Sequence, residues 1–238
     1  MFYFDEINGK RILKSDVLPN LQAFFTTRET VIRSNEIDLQ NIVKENKELI
    51  CKYLNVEDLI SPIQTHSANV DFASENKLEY PNTDALILNN INQAIYLNFA
   101  DCTPVILYDK KRHIAAVSHA GWRGTVQKIV PKTIEVMQSC SSDIIAVIGP
   151  AISICCYNVG EDVFQQLKST VKNFDDLYNI KNGQIFVDLK RINARQLEEI
   201  GVKNIDICPY CTCCNNDMFF SYRKEHATTN RHSAVIKL

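Results

Sequence analysis

The chain has 238 residues, 45% of them hydrophobic and 23% charged, with a formal net charge of −2. That length and balance supply a large continuous core and fit one compact domain spanning residues 1–238. Its 26 basic and 28 acidic side chains are mixed along the whole sequence, so no basic field gathers a polyanion and nucleic acid is excluded as a partner.

In chain order, the opening MFYFDEINGK carries acidic residues where an export signal needs a basic stretch followed by an apolar one. A helix follows in DLQNIVKENKELICKYLN, where Leu39, Ile42, Val43, Leu49, Ile50, Tyr53 and Leu54 recur at helical spacing. Then come short apolar runs broken by Asn, Asp, Pro and Lys: ANVDFA, DALILN, AIYLNFA, TPVILYD and HIAAVSHA. These read as strands of a large sheet. After GWRG the period changes, with Val126, Ile129, Val130, Ile134 and Met137 on one helical face and Pro131 marking its first turns or a bend. The strand IIAVIGPAI, a helix from about Glu161 to Val171 and the strand QIFVDL come next. Asp188 caps a helix over LKRINARQLEEI that Gly201 stops in the left-handed region. NIDICPY, MFFSYR and SAVIKL complete the strands.

About ten strands and four helices in loose alternation predict an α+β fold of mixed α/β layers, with large mixed sheets flanked by helices. There is no glycine-rich dinucleotide or phosphate loop. No apolar run approaches the ~20 residues needed to span a bilayer, so a soluble cytoplasmic protein with no membrane partner is expected, a monomer or small homo-oligomer. The nine cysteines, an odd number spread from Cys51 to Cys214, read as reduced thiols rather than a disulfide framework.

Three segments deliver a good metal ligand at the end of an apolar run: His66 in PIQTHSANV, Cys102 in NFADCTPVIL and His119 in AAVSHAGWRG. Imidazole and thiolate suit tetrahedral zinc, and three protein ligands leave a fourth position open for chemistry. The blander alternative is two hydrogen-bonded histidines near strand ends and a core thiol, and spacing alone does not choose. GWRGT brings glycines and Arg123 to the start of a helix, where free amides and a guanidinium form an anion site, or merely a tight turn. FFSYRKE places Tyr222 and Arg223 at a strand end, where an aromatic face and a guanidinium can hold a base and a polar group. CPYCTCC has CxxC spacing in Cys208 and Cys211, but a closed zinc site draws its second pair from a separate knuckle, and none is evident. Cys155 and Cys156 read as packing thiols, and His113, His226 and His232 as surface residues.

With these residues in view the chain resembles the family first described as polyphenol oxidases or laccase-domain proteins, now associated with purine nucleoside phosphorylase and adenosine deaminase activity. QTHS, TDALIL, ADCTPVILYD, AVSHAGWRGTV, IGPAISICCYNVG, DLKRINARQLEEIGV and FFSYRKE occur in the family's order. The resemblance implies a zinc held by His66, Cys102 and His119, with a purine nucleoside and phosphate as substrates. It implies phosphorolysis to free base and ribose 1-phosphate, with adenosine deamination at the same site. Asp101 is then a candidate for orienting a ligand histidine or shuttling a proton, Gln64 for binding substrate, and Arg123, Tyr222 and Arg223 for binding phosphate and base. The chain departs from the family at Ser67, at Ser153 and Ile154, and in the terminal RKEHATTNR. Rival readings are a copper-dependent phenol oxidase, a cysteine hydrolase or amidase acting on cell-wall precursors through Cys102 and His119, and a non-catalytic binding module.

Overall fold

A computed structural model describes the chain except for Asn20, Glu75, Asn76 and Leu78. The N-terminal stretch, to which the sequence reading gave no strand, forms a tight hairpin of β1 (Phe2–Ile7) and β2 (Lys10–Ser15). The overlooked signal is Asn8-Gly9: both residues take positive φ, 51° and 77°, as a two-residue hairpin turn requires. β3 (Gln22–Thr26) and α1 (Gln40–Leu54) follow, the helix ending on Asn55 in the left-handed region at φ 53°. Next come β4 (Leu59–Ile60), β5 (Val70–Phe72), β6 (Ala85–Leu88), β7 (Ala94–Phe99), β8 (Thr103–Asp109) and β9 (Ile114–Ala120).

Beyond GWRG the expected helix breaks in two, α2 (Trp122–Val126) and α3 (Ile129–Val136), because Lys128 turns left-handed between them and Pro131 falls in the first turn of the second. The remainder is β10 (Ile144–Ile148), β11 (Asn158–Val159), α4 (Glu161–Lys168), β12 (Tyr178–Lys181), β13 (Gln184–Val187), α5 (Leu189–Glu199), β14 (Asn204–Ile207) and β15 (His232–Lys237). Asp188 does cap α5, accepting from the Arg191 amide at 3.1 Å, and Gly201 follows the helix at φ 97°.

MFFSYR is not a strand. Glu225 gathers that segment into successive turns, accepting from the Ser221 amide and the Asn216 amide group while pairing with Arg28. Phe219 and Phe220 are both buried, so the apolar run docks as a plug instead of alternating across a sheet.

The strands build two six-stranded mixed sheets, ordered β1-β2-β3-β15-β7-β4 and β14-β10-β8-β9-β6-β5, and a small sheet β11-β13-β12. The large sheets pack face to face. Leu13, Phe25, Leu97, Phe99 and Ile236 from the first meet Leu86, Ile106, Val117 and Val147 from the second in one apolar cluster. The alternate residues face outward: Ile12, Phe24, Tyr96 and Val235 meet Ile50 and Leu54 of α1, while Ile87, Val105 and Leu107 meet Ile134 of α3 and Leu197 of α5. The result is four layers, α/β/β/α, with both faces of each large sheet covered. That explains why their strands read as continuous apolar runs.

Candidate metal centre

Antiparallel pairing of β8 with β9 sets Thr103 opposite Ala120 and Pro104 opposite His119. Cys102, just before β8, therefore meets Gly121, just after β9, although the two are distant in sequence. A Cβ on Gly121 would sit 3.0 Å from Cys102 Sγ and 3.1 Å from His66 Cδ2. Gly121 has an ordinary φ of −67°, so its glycine answers to space, not to backbone conformation.

His66 comes from the loop before β5 and takes a left-handed φ of 62°. What holds it there is Asp84, at the head of β6 and fully buried. Its carboxylate accepts from the backbone amides of Thr65, His66 and Ser67 at 3.1, 3.1 and 2.7 Å, and from the Ser67 hydroxyl at 2.7 Å. The same carboxylate accepts from Nδ1 of His119 at 2.8 Å, leaving the other ring nitrogen for a ligand. One buried carboxylate thus places both histidines.

The donor atoms of His66, Cys102 and His119 all lie within 4.8 Å of one another. A tetrahedral zinc with bonds of about 2.0 Å to nitrogen and 2.3 Å to sulfur needs an N···S edge of about 3.6 Å. Cys102 Sγ lies 3.7 Å from His66 Nε2. Donor chemistry, spacing and a carboxylate-backed histidine all fit a metal. Burial alone would push the Asp84 carboxyl up, but hydrogen bonds from His119 and Ser67 hold it far below the usual carboxylate range. Burial likewise opposes charge on Cys102 and His119. The neighbouring imidazoles nevertheless bring the Cys102 thiol down to about 6, while Cys102 and Asp84 bring His119 up to about 9.

These donors lie in the wall of a pocket of about 740 Å³, within the range of small-molecule sites. Arg33, Arg123, Arg223 and Arg231 line it, together with Trp122, Tyr157 and Tyr222. Arg123 stacks on Trp122 at 4.4 Å, and Arg223 lies over Tyr157 at 5.6 Å while hydrogen-bonding Asn158. The arginine ion pairs are made elsewhere, by Arg11, Arg28, Arg191 and Arg195, and none by the four pocket arginines among the described residues. Among the described residues Asp101 is the one acid in the lining, and both its oxygens are engaged: Oδ1 accepts from the Thr212 hydroxyl and Oδ2 from the Arg223 amide, each at 2.7 Å. The pocket is therefore cationic.

The eight candidate site residues, His66, Cys102, His119, Asp101, Gln64, Arg123, Tyr222 and Arg223, all line this one pocket, but two take different parts from those expected. Asp101 touches neither ligand histidine; it braces the turn that carries Tyr222 and Arg223, and Asp84 is the carboxylate behind His119. Gln64 spends its amide on the backbone of Asn98, donating at 2.9 Å and accepting at 2.8 Å. The GWRG helix is a single short turn, so the anion-attracting groups are the guanidiniums more than its dipole. His232, read as a surface residue, is completely buried on β15 against Phe99 and Phe219, whereas His113 and His226 are exposed. Asp84, Arg33 and Arg231 were missed. The acid of TDALIL ahead of an apolar strand was a usable signal for the first; only the bridge joining Arg33 to Arg231 reveals the other two.

Fold and site together define a mixed α/β protein whose candidate three-donor metal centre opens on a cationic small-molecule pocket. Residues 25–238 match the family described as multi-copper polyphenol oxidoreductase laccase, and the chain belongs to that family. It is 33% identical to a purine nucleoside phosphorylase of Clostridium acetobutylicum over 221 residues, covering 90% of this chain and 91% of that protein. It is 35% identical to the adenosine deaminase RL5 of an unknown prokaryotic organism, covering 72% and 71% respectively. Among solved structures, YlmD of Geobacillus stearothermophilus superimposes with a TM-score of 0.87 at 26% identity over 98% of both chains. The hypothetical protein YfiH of Bacillus licheniformis does so at 0.89 and 27%, over 99% of this chain and 98% of that one. No helix of the described residues is long and apolar enough to cross a membrane.

Proposed function

We propose that the chain is a zinc-dependent purine nucleoside enzyme that splits adenosine- or inosine-type nucleosides with phosphate, giving free base and ribose 1-phosphate, and that deaminates adenosine in the same pocket. The observation that carries this reading is four guanidiniums with no acid partner among the described residues, around an aromatic-lined cavity whose wall holds the three donors. His66, Cys102 and His119 would hold the zinc. When bound, it supplies a Lewis acid beside the incoming nucleophile. The arginines bind phosphate and neutralise its charge as the glycosidic bond breaks. Trp122, Tyr157 and Tyr222 offer faces for the base. Asp84 keeps the His119 proton on Nδ1, Asp101 positions Arg223, and Gln64 shapes the wall beside Asn98. Two imidazoles and one thiolate form too small a set for a multicopper centre, and no further histidine joins them among the described residues.

Asp84, His119 and Cys102 also favour a second reading, a cysteine hydrolase with Asp84 orienting the base. Metal analysis separates the two. Loss of one zinc per chain in His66→Ala, with Cys102 shielded from alkylation until a chelator is added, supports the first; an active protein whose metal content is unchanged by His66→Ala and whose Cys102 is reactive supports the second. Purified protein incubated with adenosine should release adenine and ribose 1-phosphate only when phosphate is present, and inosine or hypoxanthine if deamination occurs. No conversion by zinc-loaded protein under either condition would sink the nucleoside reading.

A further inference from the structure

A second group of sulfurs lies outside the pocket. Cys155 and Cys156 occupy the turn between β10 and β11, and Cys211 and Cys214 the turn after β14. These turns are far apart in sequence, yet a parallel bridge between Ala151 and Cys211, with the Thr212 amide donating to the Ala151 carbonyl at 3.1 Å, clamps them side by side. All four Sγ atoms lie within 4.8 Å of one another, and Cys214 Sγ is 3.5 Å from both Cys155 and Cys156. The Cys155–Cys156 turn is the separate knuckle that CPYCTCC by itself lacks.

We propose that Cys155, Cys156, Cys211 and Cys214 form a structural four-thiolate site for a divalent thiophilic cation, zinc above all. Bonds of about 2.3 Å at tetrahedral angles demand S···S edges of about 3.8 Å. The two 3.5 Å separations from Cys214 lie close to that edge, the whole set stays within 4.8 Å, and both are far from the ~2.05 Å of a disulfide. An amide hydrogen supports the set as in zinc knuckles: Cys211 Sγ accepts from the Ser153 amide at 3.4 Å. Lys190, an ammonium only 4% exposed, lies alongside, donating to the carbonyls of Cys208 and Tyr210. It balances part of the negative charge of four thiolates around one dication. Binding releases the protons the thiols carry and stores its free energy in the fold.

The neighbours of these cysteines give the site its consequence. Tyr157, next to Cys156, lines the pocket; Asn158 holds Arg223; Thr212, next to Cys211, holds Asp101. A cation here staples together the pocket wall that carries Arg223. The inference stands independently of the nucleoside reading, since it concerns different residues and a different ligand set.

Metal analysis of protein purified anaerobically should find two zinc per chain, falling to one in Cys211→Ser and, separately, to one in His66→Ala. Should Cys211→Ser fail to fold, the His66→Ala, His119→Ala protein decides. Loaded with cobalt, it should show the charge-transfer absorption of an all-thiolate tetrahedral site. An X-ray absorption spectrum of its zinc form should show four sulfur neighbours and no nitrogen. Absence of bound metal in that double variant, unchanged metal content in folded Cys211→Ser, or a Cys155–Cys214 or Cys156–Cys214 disulfide in the anaerobic protein would each overturn the proposal.

Discussion

Asp84 does several jobs with one carboxylate, and each is legible as chemistry. Its charge orients His119 and its hydrogen bonds shape the loop that brings His66 over Cys102. Asp84→Asn keeps the side-chain volume but removes the charge and turns one acceptor oxygen into a donor facing N–H groups. Metal affinity, measured by chelator competition, is expected to fall about 10–100-fold, the usual effect of losing such a carboxylate. Gly121→Ala should act differently. Its backbone conformation accepts alanine, but the new methyl would press on Cys102 Sγ and His66 Cδ2. Metal binding is expected to drop sharply while the apo-protein's melting temperature stays close to wild type; undiminished zinc affinity would refute this account of the glycine.

At the scale of elements, β15 carries a histidine that the sequence reading left on the surface. His232 is buried among aromatic rings; Nε2 approaches the Pro150 carbonyl at 3.4 Å and Nδ1 has no partner. Burial pushes its pKa down to about 3. The group is neutral when folded and takes up a proton on unfolding below its ordinary value near 6.5. Its contribution is therefore fully present above that pH and is lost as pH falls toward about 3, at about 1.4 kcal/mol per unit inside the window. Urea unfolding of the metal-free protein between pH 6 and 5, largely below the range in which Cys102 loses its proton, should show most of that slope, and His232→Asn should reduce it. The β8–β9 hairpin is the opposite case. Its apolar runs and the KKRH turn were plain in the sequence, with the Asp109 carboxylate accepting from the amides of Lys111 and Arg112. What the runs did not reveal was register, which decides that Cys102 meets Gly121.

For the whole molecule, stability rests on the seam between the two large sheets, where Gly149 lies against the Phe25 ring. A Cβ there would lie 2.2 Å from Phe25 Cε1. Gly149→Ala should cost about 1–3 kcal/mol by overpacking, and Phe25→Ala about 3–5 kcal/mol by leaving a cavity. The double variant should cost less than the two together, since the methyl fills part of the space the ring vacates. Simple additivity in denaturant titrations would show that the two residues do not share the seam as described.

Periodicity, turn chemistry and donor-rich strand ends established much from sequence alone. The grouping of His66, Cys102 and His119 came from the family resemblance, since spacing alone left it open; periodicity and turn chemistry placed α1 and α5 with its Asp188 cap, most of the central strands and the mixed α/β class. Those features rest on local preferences, which a residue and its near neighbours carry with them. Tertiary structure decided the rest. Sheet pairing opposes Cys102 to Gly121, a bridge joins the Cys155–Cys156 turn to the Cys211–Cys214 turn, and docking of Phe219 and Phe220 turns a strand-like run into a plug. Asp84 gains its role only when the His66 loop folds over the head of β6. Each depends on contacts between residues distant along the chain, and local spacing contains no record of which distant segments will meet.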